Sequence, residues 1–143
     1  MKSIFAVCLI LICLILCAFQ CKKDSANCHR NKFFKNESIK DLYVITSYLY
    51  PDTVLSKGYP NPILDPNTNK ILMQSSKLLW TRDCIETIFR YSIPSDTLMV
   101  YVFDAGILES TSWDTIRANN LYLKRYDLSL QDLQMRNWTI IYP

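Results

Sequence analysis

The chain has 143 residues, of which 50% are hydrophobic and 20% are charged. This composition is typical of a globular protein and excludes an intrinsically disordered chain. The formal net charge is +3, but residues 22–40 hold six basic and two acidic side chains, whereas residues 41–143 hold nine basic and eleven acidic ones. Because the positive charge is confined to a short N-terminal stretch, we expect no nucleic-acid partner.

The N-terminal segment has the layout of an export signal. Lys2 gives the start of the chain a positive charge, and an uncharged apolar run extends over residues 4–19. A secretory signal has this arrangement, whereas a membrane-spanning helix needs about 20 apolar residues. We therefore predict a signal peptide over residues 1–20, a tether over residues 21–32 and a single globular domain over residues 33–143.

The end of this segment indicates how the mature chain is held. Residues 16–21 read LCAFQC and are followed at once by Lys22 and Lys23. The stretch resembles a bacterial lipoprotein signal peptide, in which the cysteine at the apolar-to-polar boundary becomes the acylated first residue. The resemblance implies a palmitate-type lipid at Cys21 and an anchor in the cell envelope, at the outer membrane, with the domain facing the periplasm or the surface. An ordinary signal peptide or an uncleaved anchor is the alternative.

The predicted location outside the cytoplasm affects how the remaining cysteines are interpreted. Three of the six cysteines lie inside the apolar run, so Cys28 and Cys84 are the only two left besides Cys21. Two thiols outside the cytoplasm favour a disulfide, which would stabilise a fold with a loop of this length by about 4 kcal/mol. The alternatives are that both thiols are simply buried, or that Cys28 lies too close to the tether to reach Cys84.

The first part of the domain is expected to be mostly β. β-Branched and aromatic residues predominate over residues 32–35 and 42–50, and turn residues separate the two stretches, so an opening hairpin is predicted. Glycine and proline interrupt residues 56–70, which predicts a loop. Short strands are expected at residues 71–73 and 77–80.

The first clear helix comes after these strands. Asp83 and Glu86 have the spacing of a capping box, and Ile85, Ile88 and Phe89 share one helical face. A proline at position 94 is expected to end the helix.

An apolar run over residues 98–103 is bounded by polar residues on both sides. It predicts a central strand that is buried on both faces. A short helix is expected to begin at Trp113, behind Thr111 or Ser112, and residues 121–126 read as extended.

The last predicted helix has residues at both ends that indicate where it starts and stops. Ser129 and Asp132 predict a capped helix that runs to about Arg136, where Asn137 can adopt the left-handed conformation that stops it. A final strand is predicted over residues 138–142. Together the elements predict an α+β fold, mainly an antiparallel and sandwich-like β-sheet, with two or three short helices.

Several stretches resemble an uncharacterised family of small Bacteroidetes lipoproteins. The most specific are LKRYDLSLQDLQ over residues 123–134 and NWTIIYP over residues 137–143. Shorter matching stretches lie at residues 36–38, 42–44, 50–53, 95–98 and 103–104. The resemblance implies a source group and an envelope location, but no activity.

Enzyme chemistry has little support in the sequence. The single histidine, His29, lies in the predicted tether, where nothing is expected to fix its geometry for acid–base work or an ordinary zinc site. Three aspartates at strand ends, Asp52, Asp96 and Asp104, are more typical of turns than of binding groups. We expect no metal, no cofactor and no catalytic residue.

Two further patterns are candidate ligand sites. Asp65, Asn67 and Asn69 alternate like calcium ligands, but Lys70 and Ser76 stand where an EF-hand loop needs glycine and glutamate. A surface loop is therefore expected there. A second set of residues, which is more typical of core and rim packing, offers aromatic rings for a ligand or glycan platform: Tyr43, Tyr48, Tyr50 and Tyr59.

These observations favour a non-catalytic, membrane-tethered binding or accessory module of the cell envelope, with an envelope protein or a glycan as its partner. One alternative is a carboxylate-dependent hydrolase, which requires two of Asp52, Asp96 and Asp104 to converge in one pocket. Another alternative is an immunity-type inhibitor of a secreted toxin.

Overall fold

A computed structural model describes residues 27–52, 54–55 and 58–143. The predicted signal peptide and the acylation site at Cys21 lie outside the described residues. Within these residues the chain forms seven strands, five short α-helices and one 3-10 turn, with the strands in two mostly antiparallel sheets. The predicted α+β class is confirmed, and there are more helices than the two or three expected. No helix in this part of the chain is long and apolar enough to cross a membrane.

The first sheet has three strands in the order β4-β1-β7. Its members are β1 (Asn31–Asn36), β4 (Ser75–Trp80) and β7 (Thr139–Tyr142). The middle strand β1 pairs antiparallel with β4 and parallel with β7. Because side chains alternate along a strand, β1 presents Phe34 to the core and Phe33 to solvent.

The second sheet is antiparallel and has the order β3-β2-β5-β6. Its members are β2 (Leu42–Ser47), β3 (Lys70–Ile71), β5 (Leu98–Asp104) and β6 (Lys124–Leu128). Every residue of β5 before its last is buried. The prediction of a central strand covered on both faces is therefore confirmed.

The helices are short and lie between the strands. The 3-10 turn covers Pro62–Leu64, and the helices are α1 (Pro66–Asn69), α2 (Ile85–Tyr91), α3 (Ala105–Ser110), α4 (Trp113–Ala118) and α5 (Leu130–Met135). The capping box of Ser129 and Asp132 forms at the start of α5, and Asn137 has a φ of 47° just beyond its end, as predicted.

The core has two parts, one on each face of the second sheet. Phe34 and Ile140 of the first sheet pack against Val44 and Val102 of the second. On the other face, a second cluster is formed by side chains of β2, β5, α3 and α4: Tyr43, Ile45, Met99, Tyr101, Phe103, Leu108 and Ile116. The molecule is therefore layered as sheet, sheet and helices, with β2 and β5 in the middle layer.

The predicted opening hairpin is wrong, although both of its strands form. β1 pairs only within the first sheet and β2 only within the second. The connection is wound around the Asn36 side chain, whose amide donates to Lys40 O at 2.7 Å and Leu72 O at 3.1 Å, and whose oxygen accepts from Ser38 N. These bonds direct the chain into the other layer. β2 also ends at Ser47, earlier than predicted.

The capping box predicted for α2 is also wrong. Cys84, not Asp83, occupies the N-cap position, and it makes no side-chain capping bond. The Glu86 carboxylate accepts hydrogen bonds from His29 instead. In contrast, α3 was not predicted, because Asp104 and the residues after it were interpreted as a turn.

The chain joins the fold earlier than the predicted start at Phe33. Cys28 and Cys84 form a disulfide with Cα atoms 4.9 Å apart. His29 O accepts from Ile85 N at 2.7 Å, and Arg30 O accepts from Thr81 N at 3.1 Å. Residues 28–32 therefore belong to the folded domain and not to a tether, because a covalent bond and backbone hydrogen bonds hold them in place.

Candidate ligand-binding cleft

A cleft of about 710 Å³ lies between the two sheets. One side is lined by strands of the first sheet, and the other by β2, the residues just after it and α2. We name it the Lys32 cleft and define it by six of its lining residues: Lys32, Val44, Thr46, Tyr48, Leu79 and Ile88. Its volume is that of a typical small-molecule pocket.

Lys32 is the unusual member of this lining. Strand alternation places it on the core-facing side of β1 with Phe34 and Asn36, opposite Leu79 of β4. Only 5% of its surface is exposed. No acceptor or carboxylate among the described residues pairs with its ammonium, whereas the buried amide of Asn36 is hydrogen-bonded. Lys32 is thus a buried cation that the described part of the chain does not neutralise.

Four of the five other lysines of the described residues have an oxygen acceptor, which shows how unusual this is. Lys35, Lys40 and Lys70 each lie within 2.6–2.8 Å of a carboxylate oxygen. Lys77 donates to Lys70 O at 2.9 Å and also to Asn67 O. Buried charges in proteins are normally paired in such ways, because desolvating a lone charge is costly.

Burial changes the acid–base behaviour of Lys32. Desolvation lowers the pKa of its ammonium from 10.5 to about 8. A lowered lysine pKa with no charged partner is what burial alone produces, since removing water disfavours the charged form. Such perturbed groups cluster at functional sites.

The rest of the lining combines apolar and polar side chains, and most of its charged groups are cations. Besides Lys32, the charged lining residues are Lys77, Arg82 and Asp83. Burial lowers the pKa of Lys77, although the charge of Asp65 opposes the shift. Polar side chains without charge complete the lining: Thr46, Asn67, Thr68, Asn69, Thr81 and Ser92. Three cations against one carboxylate give the cleft a positive lining in a body that is otherwise mildly acidic.

Tyr48 stands between the charged and apolar parts of the lining. It packs partly buried against the core cluster, while its hydroxyl lies near Asp83. Burial and the charge of Asp83 raise the pKa of Tyr48, so its hydroxyl remains a neutral donor at pH 7.

The three aspartates considered as hydrolase residues do not converge. Asp96 precedes β5, with a left-handed φ of 50°, and Asp104 ends the same strand. Asp52 is exposed and accepts from Tyr101 and Arg125 through its backbone carbonyl. Neither the Lys32 cleft nor the depression beside Asp104 is lined by two of them. Turn and cap roles account for their positions.

Asp104 lies in a shallower depression of about 460 Å³, which is lined by charges that pair with each other. Its carboxylate caps α3 and contacts Lys40 at 2.7 Å, and this Lys40 contact is the main cause that lowers the pKa of Asp104. Lys70 contacts Glu109 at 2.8 Å and Asp41 at 3.8 Å. Each charged side chain of the depression therefore already has a partner of opposite charge.

The loop considered as a calcium site holds helix caps instead. Asp65 accepts from Thr68 N at 3.2 Å, and Asn69 donates to Pro62 O at 3.2 Å. Across the described ranges, no group of three or more His, Cys, Asp or Glu side chains is placed to bind a metal.

The four tyrosines do not form one platform. Tyr43 and Tyr59 are buried in the second core cluster, and Tyr50 lies under the Arg125 guanidinium. Only Tyr48 of the four lines the Lys32 cleft. Packing accounts for most of this set.

His29 is held firmly, contrary to prediction. Its Nδ1 lies 2.5 Å from Glu86 Oε1, and its ring stacks on Trp138 with centroids 4.2 Å apart. Although burial opposes the shift, the hydrogen bonds from His29 lower the pKa of Glu86. This geometry ties the start of the domain to α2 and to the residue before β7, and none of these three side chains lines the cleft.

No protein-family model, curated protein or solved structure matches the chain. The resemblance of its C-terminal stretches to small Bacteroidetes lipoproteins stays a prediction.

Proposed function

We propose that the chain is a lipid-anchored, non-catalytic binding module of the cell envelope, which holds its ligand in the Lys32 cleft. The observation that supports this function is the largely buried side chain of Lys32 at the wall of a ligand-sized cavity, since its ammonium has no partner among the described residues. A fold gains no stability from such a group in isolation, since an apolar side chain of similar volume would avoid the desolvation cost. A bound ligand of opposite charge would neutralise the ammonium and offset this desolvation cost.

The anchor in this proposal comes from the sequence pattern around Cys21. Cys28, where the disulfide fixes the chain, lies seven positions after Cys21, so the folded domain would sit within about 25 Å of the acyl chains. Lys22 and Lys23 would lie next to the head groups, where each basic residue contributes about 1 kcal/mol of attraction to an anionic surface.

Two alternatives receive less support. A carboxylate-dependent hydrolase needs two of Asp52, Asp96 and Asp104 in one pocket, and these residues lie apart. No specific observation favours an immunity-type inhibitor.

Two measurements test the proposal. Intact-mass analysis of the membrane-extracted protein should show a chain that begins at an acylated Cys21, and Cys21→Ser should release the protein from the membrane fraction. A soluble and unmodified native protein would contradict the anchor.

The binding part has its own test. Thr46 is exposed on β2 and lines the cleft, so Thr46→Trp should fill the cleft without disturbing the core. Mass spectrometry of solvent extracts should detect a small molecule that co-purifies with the native protein and is lost from Thr46→Trp. Equal retention by both proteins would place the ligand elsewhere.

A further inference from the structure

The surroundings of Lys32 restrict the charge that a ligand brings. A single ammonium without a partner calls for a single negative charge at the same depth. The next cation along the lining, Lys77, already donates to the carbonyls of Asn67 and Lys70. Arg82, the third cation of the lining, is exposed to solvent. Among the described residues, Lys32 is therefore the one buried cation of the cleft without a partner, and a monoanionic group is enough to neutralise it.

The same surroundings favour a carboxylate over a phosphate. Phosphate sites are commonly built from forked arginines or from free backbone N–H groups at the start of a helix. Lys32 instead stands within the middle strand of a sheet, where the backbone of β1 is used in ladders on both sides. A lysine in this position is a point charge. The single charge of Lys32 therefore matches a carboxylate, which carries less negative charge than a phosphate.

Apolar side chains near Lys32 restrict the body of the ligand, beyond its charged group. Leu79 lies directly across the ladder from Lys32, and Val44 and Ile88 line the same cleft. An apolar ligand body would displace water from these surfaces, which also strengthens the ion pair by lowering the local dielectric constant. Neutral polar side chains such as Thr46 and Ser92 complete the lining and offer hydrogen bonds to the rest of the ligand.

We propose, on the basis of the binding function proposed above, that the Lys32 cleft takes a small monocarboxylic acid with an apolar body, whose carboxylate pairs with the Lys32 ammonium. The acid inserts its charged end toward β1. Its body lies between β2, β4 and α2.

A footprinting experiment on the mature protein, purified from membranes in detergent, tests the ion pair. The probes are 4-phenylbutyrate and its neutral analogue 4-phenylbutyramide, which differ in charge but hardly in size. The acetylation rate of each lysine is measured by peptide mass spectrometry. At a probe concentration of ten times its Kd, the carboxylate should slow acetylation of Lys32 by about tenfold, and the amide should not. Lys35 lies on the opposite face of β1 and serves as the internal control, since its rate should not change.

Variants separate the charge from the shape of the site. Lys32→Met keeps a similar side-chain volume and removes the ammonium, so calorimetric binding of 4-phenylbutyrate should be lost. Lys35→Met is the matched control on the solvent face and should bind as the native protein does. Thr46→Trp should also abolish binding, because it fills the cleft.

The possible results have distinct meanings. The carboxylate proposal is overturned if the acid and the amide bind equally, if Lys32→Met binds the acid as well as the native protein does, or if phenyl phosphate protects Lys32 and 4-phenylbutyrate does not. If binding of either probe is still abolished by Thr46→Trp in those cases, the cleft remains a binding site and only the ligand class is wrong. If neither probe binds and no molecule co-purifies with the native protein, both the ligand class and the binding function are refuted.

Discussion

Replacing Lys32 with methionine is expected to stabilise the ligand-free protein. Burial lowers the pKa of Lys32 from 10.5 to about 8, and the side chain is only 5% exposed, so solvent screening removes little of this effect. A pKa difference of this size between the unfolded and folded states lowers the free energy of unfolding by about 3 kcal/mol at pH 7. Methionine fills a similar volume without the charge. We therefore expect Lys32→Met to raise the free energy of unfolding by about 3 kcal/mol, and Tm by about 10 °C.

The sign of the pH dependence comes from the direction of the shift. Between pH 8 and 10.5 the unfolded chain binds more protons than the folded protein, so the stability of the native protein rises with pH across this window. Below pH 8 the full cost of the buried charge is present. The advantage of Lys32→Met should therefore be largest at pH 7 and shrink toward pH 10.5. Burial raises the pKa of several tyrosines, but these residues are common to both proteins and their effect cancels in the comparison.

Urea unfolding at pH 7, 9 and 10.5, with the disulfide intact, measures this difference. Lys35→Met is the control, because Lys35 lies on the solvent face of the same strand and should change stability by less than about 0.5 kcal/mol at any pH. Destabilisation by Lys32→Met at pH 7, or an effect of equal size at all three pH values, would refute the cost assigned to the buried charge.

Three further changes test the rest of the fold. Reducing the Cys28–Cys84 disulfide, or replacing both cysteines with serine, should lower the free energy of unfolding by about 4 kcal/mol, as measured by urea titration. Asp104→Ala should cost about 1–2 kcal/mol by removing the cap of α3, whereas Asp114→Ala, at an exposed site, serves as the control. The contact with Lys40 lowers the pKa of Asp104, so the native protein should lose its extra stability over Asp104→Ala as the pH falls below about 3.8. Thermal unfolding at a series of pH values would detect this loss. Ser129→Ala should cost about 1 kcal/mol by opening the capping box of α5, and circular dichroism melts would contradict this if Tm did not fall.

Elements with strong local signals were predicted well. The run that forms β5 is apolar at every position and is bounded by polar residues, so its burial follows from its composition alone. Helix α5 has both its capping box and its stop residue within the segment itself. Local chemistry decides such elements, and the sequence displays it directly.

Contacts between residues far apart in the sequence could not be predicted in this way. Turn residues after β1 indicate that the chain reverses, but they do not indicate which strand β1 pairs with, and its partners β4 and β7 lie far along the chain. Glu86 has the spacing of a capping residue, yet His29, which lies 57 residues away, holds its carboxylate. Tertiary contacts overrode the local signal in both cases.

The candidate site was missed for a related reason. β1 reads NKFFKN, with phenylalanine at two consecutive positions, so the apolar pattern does not say which face is buried. A basic residue at the end of a predicted tether was expected to be solvated. The burial of Lys32 follows from the pairing of β1 between β4 and β7, which no local pattern contains.

The parallel pairing of β1 with β7 has a consequence for how the molecule is made. Phe34 and Ile140 are partners in this ladder, although more than one hundred residues separate them in the chain. During synthesis from the N-terminus, the first sheet stays incomplete until residues 139–142 have emerged, and contacts this distant in sequence make folding slow. Slow folding of this kind would favour the export that we propose, because a chain that has not yet folded can thread through a narrow channel.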